Sequence, residues 1–283
     1  MVNKIIDRKT KIIKEEKEDK INIFLYNTII GRIISKLLIT KPISKLYGYY
    51  LDSKLSKLKI KNFIIKNHIN MDDYIKEDYQ SFNDFFKRKI NLNKRPISID
   101  KNILISPCDA KLSVYKINNN LFKIKNSYYK LEDLTKSKNY LNYDYALIFR
   151  LCVDDYHRYC YIDNGTRSKY HHIKGVLHTV RPIAQEKYPI FSQNEREWTI
   201  LHTENFQDVL QIEIGALMVG KIVNQNDIYS FKKGEEKGYF KFGASTICLL
   251  IKDVIIDQDL IDNTNNNLET IVKMGEKIGI KSE

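Results

Sequence analysis

The chain has 283 residues, 43% of them hydrophobic, with 11 glycines; this excludes disordered and fibrous classes and leaves room for one core domain of about 200 residues beside a smaller helical region. Lys and Arg outnumber Asp and Glu by 47 to 35, a net charge of +12 that suits an anionic partner, although Lys, Ile and Asn are so common that distribution must decide. The four cysteines, Cys108, Cys152, Cys160 and Cys248, lack C-x-x-C spacing and sit in or beside apolar runs, which argues against zinc and a disulfide framework and for a reducing interior.

Residues 1–20 form a mixed-charge segment without a signal-like apolar stretch, and no uncharged apolar window reaches about 18 residues, so neither a secretory signal nor a membrane span is expected. Residues 21–100 read as a helical, membrane-docking region. Ile21, Phe24, Leu25, Ile29, Ile33 and Leu37 recur at helical spacing and predict an amphipathic helix over 21–39. From Thr28 to Lys66, nine basic residues (Arg32, Lys36, Lys41, Lys45, Lys54, Lys57, Lys59, Lys61, Lys66) stand against one acid, Asp52. A hydrophobic stripe alone fits a core-docked helix as well as a bilayer surface; the basic flank favours lipid. A second helix starts at Lys41-Pro42, with Pro in the first turn, and runs to Leu55. Ser81-Phe82-Asn83-Asp84 is a capping pattern that opens a third, short one.

From Ile103 onward the texture changes to short apolar runs between turns. Strands are expected over 112–117, 145–151, 175–180, 198–203, 209–214 and 217–223 and on both sides of Ser245, with loops at 118–120, 127–142 and 257–267. The expected class is α+β: N-terminal amphipathic helices, then a mostly antiparallel β catalytic core over 101–283.

Residues 238–250 read as a strand, a turn and a second strand, placing Ser245 where a hydroxyl and a backbone carbonyl can be forced together; taken alone, Gly243-Ala244-Ser245-Thr246 also fits an ordinary tight turn. The stretch Phe242-Gly243-Ala244-Ser245-Thr246 resembles the Phe-Gly-Gly-Ser-Thr or Leu-Gly-Ser-Thr signature of phosphatidylserine decarboxylases, pyruvoyl enzymes that make phosphatidylethanolamine. The glycine-punctuated segments 215–222 and 233–238, the run Ser81-Phe82-Asn83-Asp84-Phe85-Phe86-Lys87-Arg88 and Arg95-Pro96-Ile97 are similar to that family too. The resemblance extends over nearly the whole chain from about residue 21.

The resemblance implies a proenzyme that cleaves itself between Ala244 and Ser245 into a β chain, 1–244, and an α chain, 245–283. Ser245 would attack the Ala244 carbonyl, and elimination and hydrolysis would leave a pyruvoyl group, the cofactor, at the new N-terminus. That group would form a Schiff base with the amine of phosphatidylserine. Asp109, in Ser106-Pro107-Cys108-Asp109-Ala110, matches the family's charge-relay aspartate, with Ala110 in place of the usual glycine. His157, in Asp155-Tyr156-His157-Arg158-Tyr159-Cys160, matches the first of two family histidines, while Cys160 stands where the second would be. Cys160, His178 and Thr246 are secondary site candidates, and Asn194-Glu195-Arg196 also looks family-like. No metal and no nucleic acid are implied. The implied partners are phosphatidylserine, an anionic membrane surface on the cytoplasmic face of the cell membrane, the two chains of one precursor, and a second copy if the enzyme is a homo-oligomer. Three alternatives stand beside this reading: a pyruvoyl decarboxylase of a soluble amino acid, a serine hydrolase using Ser245, and a lipid-binding relic that does not process itself.

Overall fold

A run of seven residues, all buried, makes Ser245–Ile251 the central strand of the molecule. It pairs antiparallel with Tyr145–Leu151 on one side and Asp208–Ile214 on the other, with Ser245 opposite Leu151 and Thr246 opposite Ile214. In the computed structural model, which describes residues 2–138, 142–217, 221–225, 227, 229–243 and 245–282, these strands belong to an 11-stranded sheet. Its order is Ser230–Phe231, Gly165–Arg167, Arg196–Thr203, Asp208–Ile214, Ser245–Ile251, Tyr145–Leu151, Ala110–Lys116, Leu268–Val272, Val2–Asp7, Ile13–Lys17, with His171–Ile173 also on Arg196–Thr203. The pairs are antiparallel except Val2–Asp7 with Leu268–Val272. A three-stranded sheet, Ile222–Asn224, Glu236–Phe240 and Arg158–Cys160, shares the main apolar core with it. The expected α+β class with a mostly antiparallel core is what the chain adopts.

The N-terminal helices are α1 (Lys20–Asn27), α2 (Ile29–Leu38), α3 (Lys41–Asp52), α4 (Lys59–Lys66) and α5 (Phe82–Phe86). The single helix expected over 21–39 is two, bent by 103°. Thr28 explains the break: its hydroxyl donates to the Phe24 carbonyl, closing α1, and accepts from Gly31 N–H, capping α2. Gly31 is required there, because a Cβ would lie 1.9 Å from the Phe24 oxygen. Pro42 stands in the first turn of α3, and the Ser81 hydroxyl caps α5 by accepting from Asp84 N–H, both as expected. The helices α3, α4 and α5 close over a second, aromatic core of Leu51, Tyr79, Phe82, Phe85 and Phe86, against which Phe63 and Phe242 pack.

Other expectations shift. Residues 1–20 are not set apart from the core, since Val2–Asp7 and Ile13–Lys17 form a hairpin that extends the large sheet. Their charges read as a solvated head but are answered by distant partners. Buried Arg150 bonds Glu16 (2.7 Å) and Glu269, and Arg8 bonds Asp257 (2.8 Å) and Asp259 (2.9 Å). The loop expected at 127–142 holds the strand Ser127–Lys130 and the helix Leu131–Thr135, and that at 257–267 holds the helix Gln258–Asn265. Conversely, 175–180 forms no strand, only a bridge from Val176 to Asn194, and of 217–223 the described residues Ile222 and Val223 join the strand Ile222–Asn224, while 218–220 lie outside the described residues.

Burial pushes the Glu16 carboxyl up, but Arg150 and Arg181 outweigh it and hold it down to about 2. With the folded pKa below the unfolded one, this stabilisation is complete above about pH 4.5 and is lost as pH falls toward 2. Arg150→Met should lower unfolding free energy in urea by about 3–5 kcal/mol, because it removes the cation shared by the half-buried Glu16 and Glu269 carboxylates and leaves Glu16 to the more distant Arg181. A loss below about 1 kcal/mol would show that the hairpin is not held by this contact.

Candidate active site

The turn after Phe240 carries the chain from the small sheet to the large one, and both flanks are fixed. The Phe240 N–H donates to the His157 carbonyl (3.0 Å), Lys241 N–H to the Lys221 carbonyl (3.0 Å) and Phe242 N–H to Asn83 Oδ1 (3.2 Å). Asn83 is itself held by donating to Asp52 Oδ1 (3.0 Å), so α3 and α5 together grip the turn. Gly243 has φ +134°, a conformation side chains rarely tolerate, immediately before Ala244. Ala244 lies outside the described residues, as do residues 218–220 of the family-like stretch 215–222.

Ser245 is fully buried, and its Oγ has no hydrogen-bond partner among the described residues. His157 is also fully buried. Its Nδ1 lies 2.9 Å from the Asp155 carbonyl oxygen, and because a carbonyl only accepts, Nδ1 carries the proton and Nε2 the lone pair. That Nε2 has no partner either. The Phe86 ring lies 4.2 Å from the His157 ring and 5.1 Å from that of Phe242, which sits two residues before Ala244. One aromatic ring thus packs against both the imidazole and the turn. Burial, only partly opposed by the Asp155 carbonyl, lowers the His157 pKa to about 3, with the Arg88 and Lys111 cations adding to the effect. The imidazole is therefore a neutral acceptor at physiological pH.

The loop that carries His157 is pinned from below. Asp155 Oδ2 accepts from Cys152 N–H (2.8 Å) and from Lys111 Nζ (2.7 Å), both buried. Burial raises the Asp155 pKa and Lys111 only partly opposes it. Cys152, Asp154 and Asp155 have metal-like spacing, but Lys111 bonds Asp155 and Arg150 Nη1 lies 2.9 Å from Cys152 Sγ, so cationic side chains already face these donors.

Asp109 is placed differently from a direct orienter of His157. Its carboxylate accepts from Arg95 Nε (2.9 Å) and Nη2 (2.6 Å), Met274 N–H (2.9 Å) and Lys273 Nζ (3.1 Å). Burial would raise its pKa, but Arg95 and Lys273 outweigh that and keep it ionised. Two of the segments singled out in sequence, Ser106–Ala110 and Arg95–Ile97, meet in this ion pair.

A family model described as phosphatidylserine decarboxylase matches residues 82–280. The chain is 49% identical to the phosphatidylserine decarboxylase proenzyme 2 of Clostridium acetobutylicum, covering 97% of each chain. It is 43% identical to the phosphatidylserine decarboxylase proenzyme of Clostridium kluyveri and 42% to that of Clostridium novyi, each over 98% of this chain and 99% of the relative. The chain belongs to the phosphatidylserine decarboxylase family. Membership makes it an enzyme of the carboxy-lyase class.

For this decarboxylase the secondary candidates separate. Burial pushes the Cys160 thiol up to about 12, so it is protonated and a poor base. It lines a cavity of about 310 Å³ with Tyr156, Arg158, Glu236 and Met274. His178 stacks on Tyr188 (4.7 Å) and meets the Tyr26 hydroxyl (3.3 Å), seating α1 on the core. Thr246 is buried with an unpartnered Oγ1, but strand alternation turns its side chain to the face opposite Ser245. Sequence reasoning used Asn83 and Phe86 only as parts of a helix and a motif; their grip on the turn depends on tertiary contacts that no local pattern shows.

Histidine NMR on an uncleaved Ser245→Ala chain should show His157 as the Nδ1–H tautomer from about pH 8 to 5, without the titration near 6.5 of an open imidazole. A protonation midpoint near 6 would contradict the closed, desolvated site.

Proposed function

We propose that the chain is a phosphatidylserine decarboxylase proenzyme that cleaves itself between Ala244 and Ser245 and acts through a pyruvoyl group derived from Ser245. The observation that carries this is a buried seryl hydroxyl without a partner, beside a glycine-only turn that also contacts a desolvated neutral histidine through Phe86. Buried polar atoms are normally paired, so leaving Oγ and Nε2 both unused costs stability and suits a reaction instead. A seryl hydroxyl is a weak nucleophile and requires a base. His157 Nε2 takes the Ser245 proton as Oγ adds to the Ala244 carbonyl, turning the amide into an ester and freeing the Ser245 nitrogen. Loss of the Cα proton of Ser245 then expels the carboxylate of chain 1–244 and leaves a dehydroalanine, which water converts to pyruvoyl with release of ammonia.

Once formed, the pyruvoyl carbonyl supplies an electron sink for an amino acid carboxylate that is lost as carbon dioxide. In this reading His157, protonated only in passing because its pKa is low, returns a proton to the product carbon. Asp109 supports the fold of the site through Arg95 and Lys273, while the Asp155 carbonyl orients the imidazole.

Phosphatidylserine rather than a soluble amino acid is favoured by the N-terminal helices. Ile21, Ile29, Ile30, Ile33, Leu37 and Leu46 are all more than 60% exposed, and Arg32 and Lys36 lie among them. Leu25 and Tyr26 face the core instead, while Ile21 on α1 and Ile29, Ile30, Ile33 and Leu37 on α2 are left outside. No single helix among the described residues is long and apolar enough to cross a membrane. The exposed apolar residues and the basic side chains among them fit peripheral docking on an anionic surface such as the cytoplasmic face of the cell membrane.

Intact mass should reveal chains 1–244 and 245–283, with the second blocked by pyruvoyl. Ser245→Ala should stay one inactive chain, His157→Ala should cleave about 100-fold or more slowly, and Cys160→Ala should cleave almost normally. A full-length species that decarboxylates the lipid would defeat the mechanism. Vesicles containing anionic lipid should sediment the protein at low salt and release much of it at about 1 M salt, where screening is nearly complete. Equal binding to neutral vesicles would remove the electrostatic part of docking.

A further inference from the structure

Three arginines are almost wholly buried, Arg88, Arg150 and Arg196, and two of them are fully answered. Arg150 pairs with Glu16 and Glu269, and Arg196 donates to the carbonyls of Asp133, Leu134, Ser192 and Asn194. Arg88 differs. Its guanidinium lies 4.3 Å from the Tyr74 ring centroid and 4.8 Å from that of Phe85, and Nη2 donates to the Tyr74 hydroxyl (3.2 Å). Its Nε and Nη1 have no partner, and no carboxylate pairs with it among the described residues. A guanidinium is a fork built for two anionic oxygens, and burying one without an anion is costly.

Arg88 lies close to the candidate active site. Arg88 follows α5 directly, two residues after Phe86, whose ring touches His157, and the intervening Lys87 carbonyl accepts from Arg158 Nε (2.7 Å). The 310 Å³ cavity is lined by Tyr156 and by Lys89, Ile90 and Ile75, neighbours in sequence of Arg88 and its stacking partner Tyr74, while Arg88 itself is not on its wall. Both acids on that cavity are engaged: Glu236 pairs with Arg158, and Glu235 accepts from Lys232 N–H. Self-cleavage would also free the aromatic plug, since Phe242 would then lie near a chain end.

The geometry points to Arg88 as the residue that binds the phosphodiester of the substrate headgroup, an assignment that rests on the decarboxylase reading above. Phosphatidylserine offers two anions, and only one suits a fixed cation. The carboxylate must lose its charge as carbon dioxide leaves, so a guanidinium on it would stabilise the ground state more than the transition state. The phosphodiester keeps its charge throughout, so a cation can hold it without slowing the chemistry, while Phe86 and Phe242 offer the carboxylate an apolar setting.

The test uses the full-length chain with Arg88→Gln and Arg88→Lys. Cleavage is read first, by mass, before substrate is added; a parent chain that does not cleave overturns the underlying pyruvoyl reading, and with it this assignment. For cleaved Arg88→Gln, KM for phosphatidylserine in mixed micelles should rise about 10- to 100-fold, with Arg88→Lys between it and the parent. Inhibition by glycerophosphoethanolamine should weaken at least about tenfold, while inhibition by free serine should not change. An unchanged KM with unchanged inhibition, or loss of serine inhibition instead, would overturn the assignment. If Arg88→Gln does not fold, Arg88→Lys decides by the same readouts, because a point charge cannot reproduce the bidentate fork.

Discussion

The turn from Lys241 to Ser245 has to carry the chain between two sheets within a few residues, and most of the distinctive structure follows from that constraint. Both flanking strands are buried and hydrogen-bonded, so neither can shift to relieve the turn. The turn itself is held by Asn83, by the Lys221 carbonyl and by a cage of phenylalanines, and it passes through a conformation that only glycine adopts readily at Gly243. Under the proposed self-cleavage, a turn with its described flanks so fixed would let effective concentration do much of what a strong nucleophile would otherwise do. The N-terminal helices therefore have a double character. Their outer face is apolar and exposed, while α3 and α5 grip the turn from within.

The same confinement explains the environment of His157. An imidazole shut away from water with a carbonyl on Nδ1 has one available lone pair and a low affinity for a proton. Such an imidazole is a weak base, but the proposed self-cleavage would need one turnover per molecule, so rate would be less pressing than geometry. Direct coupling to a carboxylate would make the base stronger. Here Asp109 is instead saturated by Arg95, Lys273 and Met274, and the orienting contact comes from a backbone carbonyl whose loop is pinned by Lys111 and Asp155.

The sequence was legible where local physics decides. Ser245 at the edge of a buried strand, Pro42 in the first turn of α3 and the Ser81 cap of α5 all stand where pattern and turn chemistry put them. The α1–α2 break was missed because the apolar repeat runs through Thr28, and only the cap hydrogen bonds show that two helices meet there. The hairpin at Val2–Lys17 was missed because its charges look solvated until Arg150 and the acids around Arg8, more than 100 residues away, are brought beside them. The helix Gln258–Asn265 hid behind a composition of Asn and Asp that favours turns when considered without its packing. The Asp109 partners were illegible for the same reason as the hairpin, since Lys273 and Met274 lie at the far end of the chain.

The interior as a whole treats charge in three ways, and the differences carry functional information. Arg150 and Lys111 face carboxylates, which ties strands and loops into fixed positions. Arg196 faces carbonyls, so it organises backbone without needing an acid. Arg88, His157 Nε2 and Ser245 Oγ have hydrogen-bonding capacity left over, as do buried atoms of Ser44, Tyr129, Tyr161, Tyr170, Gln211 and Thr246, but these three are the ones that the contacts described above place near Phe86 and the turn. Paired charges serve the fold, and the unpartnered groups beside the turn are the ones on which the proposed self-cleavage and headgroup binding draw.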